Sequence, residues 1–381
     1  VPLGHQLPEV QKAWGVAGAS ARYGWGMRAH LPAFQALPEY DLVAVCTAHR
    51  ETAEESKRQY GARKAYWDYH ELVADPDVEV VDVCVRAPFH YPVVMAALEA
   101  GKHVFCEWPL GANSAQADEM ANLARDKGVR TMVGLQSRYA PSFLHLRQLV
   151  AEGYLGQLLS ANMTMFLPGI LRPRPERSTW NAQKEAGAHT LNIATGHALD
   201  VFLWCLGELE EVSAVVTTQV PQWAITDSDR TVPVTSPDNV LLLGHMANGG
   251  LASVHVASVP WHGTAFRMEA YGTEGTLVAT SDQMVEMVDP VLRGAKEADQ
   301  ALRLMLPPAS LRWAPPQVPE GVAVNMAQMF KRFAVAIREG AEAPPDFPEA
   351  ARRHHTLDAL ERATETGSWV KVQGLGHGSA P

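Results

Sequence analysis

The residues best suited to chemistry begin with a glycine-rich turn near the start of the chain. Gly15-Val16-Ala17-Gly18-Ala19-Ser20 follows an apolar run, and a helix-period segment begins after Gly24 and Gly26. A tight turn at Gly18, with amides near a helix start, can hold the pyrophosphate of a dinucleotide. The motif is degenerate, because Ser20 replaces the second glycine and the last glycine is displaced by one residue to Gly24. An ordinary strand-to-helix turn is the alternative.

The end of the second predicted strand bears on which dinucleotide would bind. An acid at this point binds the ribose hydroxyls of NAD, but the sequence here is Thr47-Ala48-His49-Arg50. His49 and Arg50 could contact a 2′-phosphate, which favours NADP over NAD. Equally, Arg50 could cap or pair with the following helix, whose first turn contains Glu51 and Glu54.

The elements that must position these residues alternate in the first part of the chain. Before about residue 140, short apolar runs alternate with helix-period segments, which predicts an α/β domain with a doubly wound parallel sheet and helices on both faces. We expect strands at 13–17, 42–47, 80–85, 103–106 and 131–135, and helices at 27–37, 52–60, 91–100 and 114–127. Residues 1–140 are therefore predicted to form a Rossmann-type dinucleotide-binding domain.

From residue 141 onward, polar and apolar residues alternate in longer segments. Predicted strands at 158–166, 212–220, 240–245, 251–259, 266–271 and 276–280 are accompanied by hairpin signals such as Asn248-Gly249. Helices are predicted at 143–152, 322–339 and 348–365. This pattern indicates an α+β domain over residues 141–373, a mostly antiparallel sheet with helices on one face, for substrate binding and oligomerisation. Residues 374–381 are expected to be a loose tail.

Composition limits the kinds of ligand and compartment. The 381 residues carry a formal net charge of -10 and no dense Lys/Arg stripe, so nucleic acid is not an expected ligand, whereas a small metabolite is. No apolar stretch is long enough for a membrane helix. Four cysteines, Cys46, Cys84, Cys106 and Cys205, mostly lie in apolar runs and predict buried free thiols in a reducing, cytoplasmic compartment. Scattered histidines and carboxylates predict no catalytic metal.

Further motifs extend the pattern over nearly the whole chain. They are Val83-Cys84-Val85-Arg86-Ala87-Pro88, Gly101-Lys102-His103-Val104, Glu107-Trp108-Pro109, Leu135-Gln136-Ser137-Arg138-Tyr139, Gly196-His197-Ala198-Leu199-Asp200 and Gly272-Thr273-Glu274-Gly275-Thr276. With the glycine turn, they resemble the glucose-fructose oxidoreductase/inositol dehydrogenase (Gfo/Idh/MocA) family. Glu-Trp-Pro in place of Glu-Lys-Pro is most similar to the branch that contains the fungal galactose-pathway repressor, which works by binding partners in response to nucleotide. The resemblance implies the fold, but not catalysis by itself.

The resemblance also implies roles for individual residues. In the similar enzymes the residue matching Glu107 lies beside the nicotinamide, and the next residue is a lysine that transfers the hydroxyl proton. Here Trp108 occupies that position, and an indole N–H donates a hydrogen bond but transfers no proton. Trp108 could stack on the cofactor or on a sugar ring, or merely fill the pocket. The family's aspartate four residues before His197 is replaced by Ile193, with Asn192 one residue earlier.

Hydride transfer to or from a carbinol carbon still requires a group that takes or supplies the proton of the oxygen. His197 is the best candidate, because an imidazole titrates near neutrality. The alternative is a core histidine bonded to a backbone carbonyl. Lys184 could swing in as a substitute ammonium, although a loop lysine is more often solvated. The predicted catalytic residues are therefore His197, Lys184 and Glu107.

Other candidates lie at strand ends and in loops. His90, after Ala87-Pro88, lies at the carboxyl edge of a parallel strand, where ligands bind, or caps the next helix. Arg138 could hold a substrate hydroxyl or carboxylate, or form a salt bridge at the domain interface. The predicted cofactor-binding residues are Gly18, Ala19, Ser20, Tyr23, Gly24, Trp25, Thr47, His49, Arg50, Ala87, Pro88, His90, Glu107, Trp108 and Gln136. The predicted substrate-binding residues are Trp108, Arg138, Tyr139, Trp180, His189, Asn192 and His197.

Three functions are compatible with these observations. The leading hypothesis is an NAD(P)-dependent oxidoreductase, with NADP preferred, that acts on a sugar-like or other small hydroxyl or carbonyl substrate. The second hypothesis is a nucleotide-sensing regulator that binds a protein partner and performs no turnover. The absence of the family lysine supports it. The third is a lyase or hydrolase that uses tightly bound NAD transiently. The family's pairing through an open sheet face implies a homo-oligomer, a dimer or larger.

Overall fold

The chain forms two compact units. The computed structural model describes residues 12–226 and 228–372, so the predicted tail at 374–381 lies outside the described residues. Of the described residues, one unit contains 12–139 and 312–351, and the other contains 140–226, 228–311 and 352–372. The division near residue 140 matches the change in sequence pattern. The return of residues 312–351 to the first unit differs from the continuous second domain expected over 141–373.

Six parallel strands form the sheet of the first unit: β1 (Lys12–Ala17), β2 (Tyr40–Cys46), β3 (Lys64–Tyr66), β4 (Val80–Val83), β5 (His103–Glu107) and β6 (Thr131–Gly134). They lie in the order β3-β2-β1-β4-β5-β6, which confirms the doubly wound Rossmann-type sheet. Every residue of β4 is buried, as expected for a strand covered on both faces. The sequence pattern does not predict β3, because three residues are too few to establish a period.

Nine α-helices lie in the described ranges: α1 (Leu31–Ala36), α2 (Arg50–Tyr60), α3 (Tyr69–Ala74), α4 (His90–Glu99), α5 (Ser114–Lys127), α6 (Pro141–Ala151), α7 (Gly196–Leu206), α8 (Val322–Glu339) and α9 (Phe347–Thr366). A π-helical turn, Gly26–His30, leads into α1. Helix α5 has the predicted bounds, because Asn113 caps its start by accepting from the Gln116 N–H and Gly128 ends it in the left-handed region. None of these helices combines the length and apolar character needed to cross a membrane.

Helix α8 belongs to the first unit because its apolar face completes that unit's core. Phe330 and Phe333 on α8 are fully buried and contact Trp14 of β1, with ring centroids 5.4 Å and 5.8 Å apart. Phe330 also stacks on Phe34 of α1 at 4.5 Å. The apolar periodicity of 322–339 predicts a buried helix face but does not identify the surface that covers it. The sequential domain boundary therefore could not anticipate this return.

The second unit contains a nine-stranded sheet and a separate hairpin. Its strands are β7 (Leu158–Pro168), β8 (Leu209–Thr217), β9 (Gln222–Ala224), β10 (Thr231–Pro233), β11 (Asn239–Met246), β12 (Leu251–Val259), β13 (Ala265–Gly272), β14 (Gly275–Ser281), β15 (Val291–Lys296), β16 (Arg303–Leu304) and β17 (Val370–Lys371). The sheet order is β16-β15-β14-β13-β7-β12-β11-β8-β17, and β9 and β10 form the hairpin. The β7–β12 pair is parallel and the other sheet pairs are antiparallel, which confirms the mostly antiparallel prediction. All four cysteines are buried free thiols, as expected.

Candidate functional site

The glycine turn is fixed where the chain leaves β1. Gly18 has a φ of 98°, in the left-handed region that favours glycine. The N–H groups of Gly18 and Ala19 donate to the Cys46 carbonyl at 2.9 Å and 3.3 Å, which holds the turn against the end of β2. A Cβ atom on Gly18 would lie 2.6 Å from the Cys84 carbonyl oxygen. The close approach to backbone therefore excludes any side chain at this position.

The loop after Gly18 carries backbone donors that are not used internally. Among residues 12–226 and 228–372, no hydrogen-bond acceptor faces the N–H of Tyr23 or of Gly24. Ser20, which replaces the second motif glycine, accepts from the Arg22 N–H at 3.3 Å and so helps to shape the loop. Unused amides beside a tight glycine turn are suited to an anionic pyrophosphate.

The end of β2 offers no carboxylate to a ribose. Thr47 is buried and donates its hydroxyl to the His49 carbonyl at 3.0 Å, whereas His49 and Arg50 are exposed. The Arg50 guanidinium lies 5.2 Å from the ring centroid of Trp67. No carboxylate pairs with Arg50 in the described part of the chain, so the alternative of an ion pair with the first turn of α2 is not what the structure has. Its charge is available to a ligand.

Two buried polar side chains follow β6 without hydrogen-bond partners among the described residues. Gln136 is fully buried, and neither its amide nitrogen nor its amide oxygen has a hydrogen-bond partner in the described residues. The Ser137 hydroxyl is also buried without a hydrogen-bond partner among the described residues. An unsatisfied buried amide lowers the stability of the fold by about 1–3 kcal/mol, so such groups usually bind a ligand or a water molecule. The glycine turn, the unused amides and this orphaned amide together fit a dinucleotide.

Glu107, the last residue of β5, is held by a buried histidine that belongs to no recognisable sequence motif. His30 is fully buried in the π-helical turn, with Nδ1 2.8 Å from Asp82 Oδ2 and Nε2 2.9 Å from Glu107 Oε1. Burial alone would lower the pKa of His30, but Asp82 and Glu107 outweigh it and raise this pKa from 6.5 to about 10. His30 is therefore an imidazolium that donates to both carboxylates. The sequence signal is Asp82, an acid in an otherwise apolar strand, which requires a partner.

The same cluster is the one place in the described residues where three metal-ligating groups converge. Ligand atoms of His30, Asp82 and Cys84 all lie within 4.8 Å of one another. Both ring nitrogens of His30 are already bonded to carboxylates, and the Cys84 thiol donates to the Ala17 carbonyl at 3.3 Å. Hydrogen bonding therefore accounts for this arrangement. A Cβ on Gly134 would overlap the Glu107 carboxyl, so glycine in β6 also confines that group.

His90, predicted at the carboxyl edge of β4, has both ring nitrogens within hydrogen-bond distance of backbone carbonyls. His90 is 2% exposed, with Nδ1 2.8 Å from the Pro109 carbonyl and Nε2 3.0 Å from the Val85 carbonyl. Burial lowers its pKa. His90 begins α4 after the turn Ala87–Phe89 and links the segments that follow β4 and β5. It supports the buried Trp108 segment and does not present a nitrogen to a ligand.

Two other predicted substrate residues of the first unit are also committed internally. Arg138 is buried and forms an ion pair with Glu349 at 2.7 Å, within the first unit. Tyr139 donates its hydroxyl to the Pro344 carbonyl at 2.6 Å. Both contacts join the end of β6 to the segment that returns to the first unit. The predicted substrate role of Arg138 and Tyr139 is therefore corrected to a structural one. Sequence alone does not show this, because the partners lie in the segment that returns to the first unit.

In the second unit, His197 is buried at the start of α7. Its side chain is 4% exposed, and Nδ1 has no hydrogen-bond partner in the described ranges. Burial lowers its pKa to about 4, although the nearby Asp200 opposes this change. A core histidine bonded to a carbonyl, the alternative considered from sequence, is not what the structure has at Nδ1. His197 is therefore a neutral imidazole whose Nδ1 is not hydrogen-bonded within the described residues.

Lys184 is not available as a substitute ammonium. Its Nζ lies 2.7 Å from Glu361 Oε1, and this hydrogen bond raises the pKa of the lysine. A lysine with a raised pKa is a poor proton acceptor near neutrality, so the predicted catalytic role is corrected to an ion pair. Trp180, predicted to bind substrate, is half-buried in the turn that precedes this lysine.

A pocket of about 190 Å³ lies in the second unit, at the ends of β7 and β12. His189 lines it, and burial lowers the pKa of His189 to about 4, so this imidazole is neutral. Ile193, which replaces the family aspartate, also lines the pocket. Asn192 lies beside them and donates from its amide to the Gly187 carbonyl at 3.1 Å. Three further polar residues of the wall, Arg174, Asn181 and Trp223, carry no sequence motif and were not predicted.

Comparison with known proteins follows the same two-part division. Residues 12–135 match the oxidoreductase family with an NAD-binding Rossmann fold, and residues 143–278 match the GFO/IDH/MocA C-terminal domain. Levoglucosan dehydrogenase of Pseudarthrobacter phenanthrenivorans is 28% identical, over 92% of this chain and 96% of that protein. A levoglucosan dehydrogenase structure in complex with NADH and levoglucosan has a TM-score of 0.83 at 25% identity, over 96% of this chain and 100% of that one.

A regulatory protein is also among the relatives. The galactose/lactose metabolism regulatory protein GAL80 of Saccharomyces cerevisiae is 24% identical, over 62% of this chain and 58% of that protein. Dehydrogenases and a regulator therefore share this sequence pattern, and the predicted resemblance is confirmed.

Proposed function

The chain belongs to the GFO/IDH/MocA family of oxidoreductases, with an NAD-binding Rossmann fold, and we propose that it is an NAD(P)-dependent dehydrogenase of a small sugar-like or other hydroxyl- or carbonyl-bearing substrate. The observation that carries the proposal is the glycine turn, where Gly18 leaves no room for a side chain. The orphaned amide of Gln136 supports it. In this proposal the glycine turn and Gln136 of the first unit bind the dinucleotide.

The proposed mechanism assigns the proton to His197. A bound nicotinamide would supply or accept the hydride. Trp108 cannot take the proton, because an indole N–H is only a donor. Neutral His197 accepts the hydroxyl proton in the oxidation direction and returns it in reduction. Glu107, fixed by His30, keeps the end of β5 in one conformation and is a positioning residue in this scheme.

The direct test is a turnover assay. The protein is incubated with NADP or NAD and a panel of polyols, sugars, sugar acids and aldehydes, and absorbance of the reduced nicotinamide is followed. The proposal expects substrate-dependent formation or loss of the reduced cofactor. Dinucleotide binding without turnover on any of these compounds would instead favour a nucleotide-sensing regulator. Two observations give that alternative its weight: Trp108 in place of the family lysine, and the similarity to GAL80.

The preference for NADP is proposed to depend on Arg50. We expect Arg50→Gln to weaken NADP binding about tenfold, roughly 1.4 kcal/mol, and to leave NAD binding within about twofold, because only NADP has a 2′-phosphate. Fluorescence titration of both nucleotides measures this. Arg58→Gln is the matched control, an exposed arginine further along the same helix. Equal affinity of the wild-type protein for NADP and NAD would overturn the preference.

A homo-oligomer is proposed from the outer face of the nine-stranded sheet. Leu241 and Leu243 on β11, Leu251 on β12 and Val215 on β8 are each more than two-fifths exposed. Leu241 lies opposite Val215 in the strand register and two residues from Leu243, so these apolar side chains lie on the same face of the sheet. A second copy of the chain would cover it. Light scattering should report a dimer or larger assembly that Leu243→Glu reduces to monomer, and a monomeric wild type would refute this.

The buried free thiols suit a cytoplasmic enzyme.

A further inference from the structure

The pocket of the second unit contains a partly buried cation that no acid neutralises within the described residues. Arg174 lines the pocket, and its guanidinium lies 3.6 Å from the ring centroid of Trp223. Burial lowers the pKa of Arg174. No carboxylate in residues 12–226 or 228–372 lies within 4 Å of this guanidinium. A half-buried cation with no acidic partner among the described residues favours a ligand anion here.

The backbone and the aromatic ring hold Arg174 in place. Its N–H donates to the Ala224 carbonyl at 2.9 Å, and its carbonyl accepts from the Thr226 N–H at 2.9 Å. Stacking on Trp223 occupies the flat face of the guanidinium and leaves its N–H groups directed along the edge. That edge is the part of arginine that binds a carboxylate through two parallel hydrogen bonds.

The other polar groups of the wall select for hydroxyl groups. Asn181 Oδ1 is buried without a donor, and Trp223 Nε1 is buried without an acceptor, among the described residues. Asp238, the one acid among the described wall residues, accepts at its two oxygens from the N–H groups of Gln219 and Val220 at 2.9 Å and 2.8 Å. Both Asp238 oxygens are therefore already hydrogen-bonded, and no ion pair joins this carboxylate to Arg174. The wall groups that have no hydrogen-bond or ion-pair partner among the described residues are the Arg174 cation, the Asn181 Oδ1 acceptor and the Trp223 Nε1 donor.

We propose that this pocket binds the carboxylate of a hydroxylated acid, so that the preferred substrate is a sugar acid or related hydroxy acid and not a neutral sugar. Arg174 is the specificity-determining residue and binds the carboxylate through its edge. Asn181 accepts a hydrogen bond from a ligand hydroxyl. The inference rests on the proposed dehydrogenase function for its kinetic part, but the binding part stands without turnover.

The test compares matched acid and neutral pairs. Calorimetry measures binding of D-gluconate and D-galacturonate against D-glucose and D-galactose, with inorganic phosphate as a further probe, and kcat/KM is measured for each compound that turns over. The wild type should prefer the acids. Arg174→Met should reduce that preference about 10–100-fold, the range expected for losing charge-assisted hydrogen bonds worth about 1.5–3 kcal/mol.

Two further variants keep the result interpretable. Arg174→Lys retains the charge but loses the paired edge and should recover only part of the preference. Arg172→Met, an exposed arginine two residues earlier, should retain the wild-type preference. Turnover of neutral sugars with no preference for acids would overturn the inference and leave the dehydrogenase intact. Arg174-dependent binding of acids without any turnover would support the pocket and reject the dehydrogenase. Tighter binding of phosphate than of the acids would overturn the carboxylate assignment.

Discussion

Replacement of Gly18 by alanine is expected to weaken the binding of NADP and NAD by about 100-fold or more, roughly 2.8 kcal/mol. The left-handed conformation alone costs a residue with a side chain about 1–2 kcal/mol. In addition, the new Cβ would lie 2.6 Å from the Cys84 carbonyl oxygen and 2.9 Å from the Val85 nitrogen. Both neighbours are backbone atoms, so the turn must move away from the end of β4. Calorimetric titration with each nucleotide measures the loss.

Gly61 provides the matched control for this substitution. It ends α2 with a φ of 73°, and a Cβ there would meet no atom within 4 Å. Gly61→Ala therefore carries a similar conformational cost without a steric clash, and nucleotide binding should stay within about twofold of the wild type. Circular dichroism and thermal melting show whether each variant folds. A folded Gly18→Ala protein that binds both nucleotides with wild-type affinity would contradict the assignment of the turn.

Replacement of His197 by asparagine is expected to lower kcat by about 10²–10⁴-fold, the usual contribution of a positioned acid or base. Affinity for the nucleotide should not change, because His197 is placed in the substrate step and not among the dinucleotide-binding residues. His255→Asn is the control, a half-buried histidine on β12 that lies 2.9 Å from Asn239 Oδ1. Steady-state kinetics with the best substrate of the panel separates kcat from KM. Undiminished kcat in His197→Asn would reject this proton-transfer role.

The pH dependence tests the same residue independently. Because burial lowers the pKa of His197 to about 4, the neutral imidazole is present at and above pH 5. The rate of substrate oxidation should therefore stay level from neutrality down to about pH 5 and fall only as the pH approaches 4. An ordinary exposed histidine would produce the fall near pH 6.5. A decline centred near 6.5 would show that a different group, or a differently placed His197, takes the proton.

The first-unit sheet is predictable because its strands are short apolar runs separated by helix-period segments. Helix α5 illustrates the favourable case, with Asn113 and Gly128 as local signals at its two ends. The position of α8 illustrates the opposite case. Its apolar residues indicate that one face is buried, but the partner of that face, around Trp14, lies some 300 residues earlier in the chain. Periodicity contains no information about such distant partners.

The site shows the same limit at the level of single side chains. Gly18 could be identified because its requirement is local, a backbone turn directly after a strand. Arg138 and Lys184 were predicted at the site, yet each is paired with a glutamate from a distant segment, Glu349 or Glu361. His30 was missed for the converse reason, since only the fold shows its two carboxylate partners. A charged residue in a motif therefore indicates a chemical capacity, while its partner decides whether that capacity is available.

The most direct measurement follows the hydride itself. The protein is supplied with NADPH deuterated at C4 of the nicotinamide and with the carbonyl form of its best substrate, and the product is analysed by mass spectrometry. A dehydrogenase should transfer deuterium to the product carbinol carbon, with one equivalent of oxidised cofactor formed for each labelled product. Tight binding of NADPH with neither labelled product nor cofactor oxidation would contradict the proposed dehydrogenase.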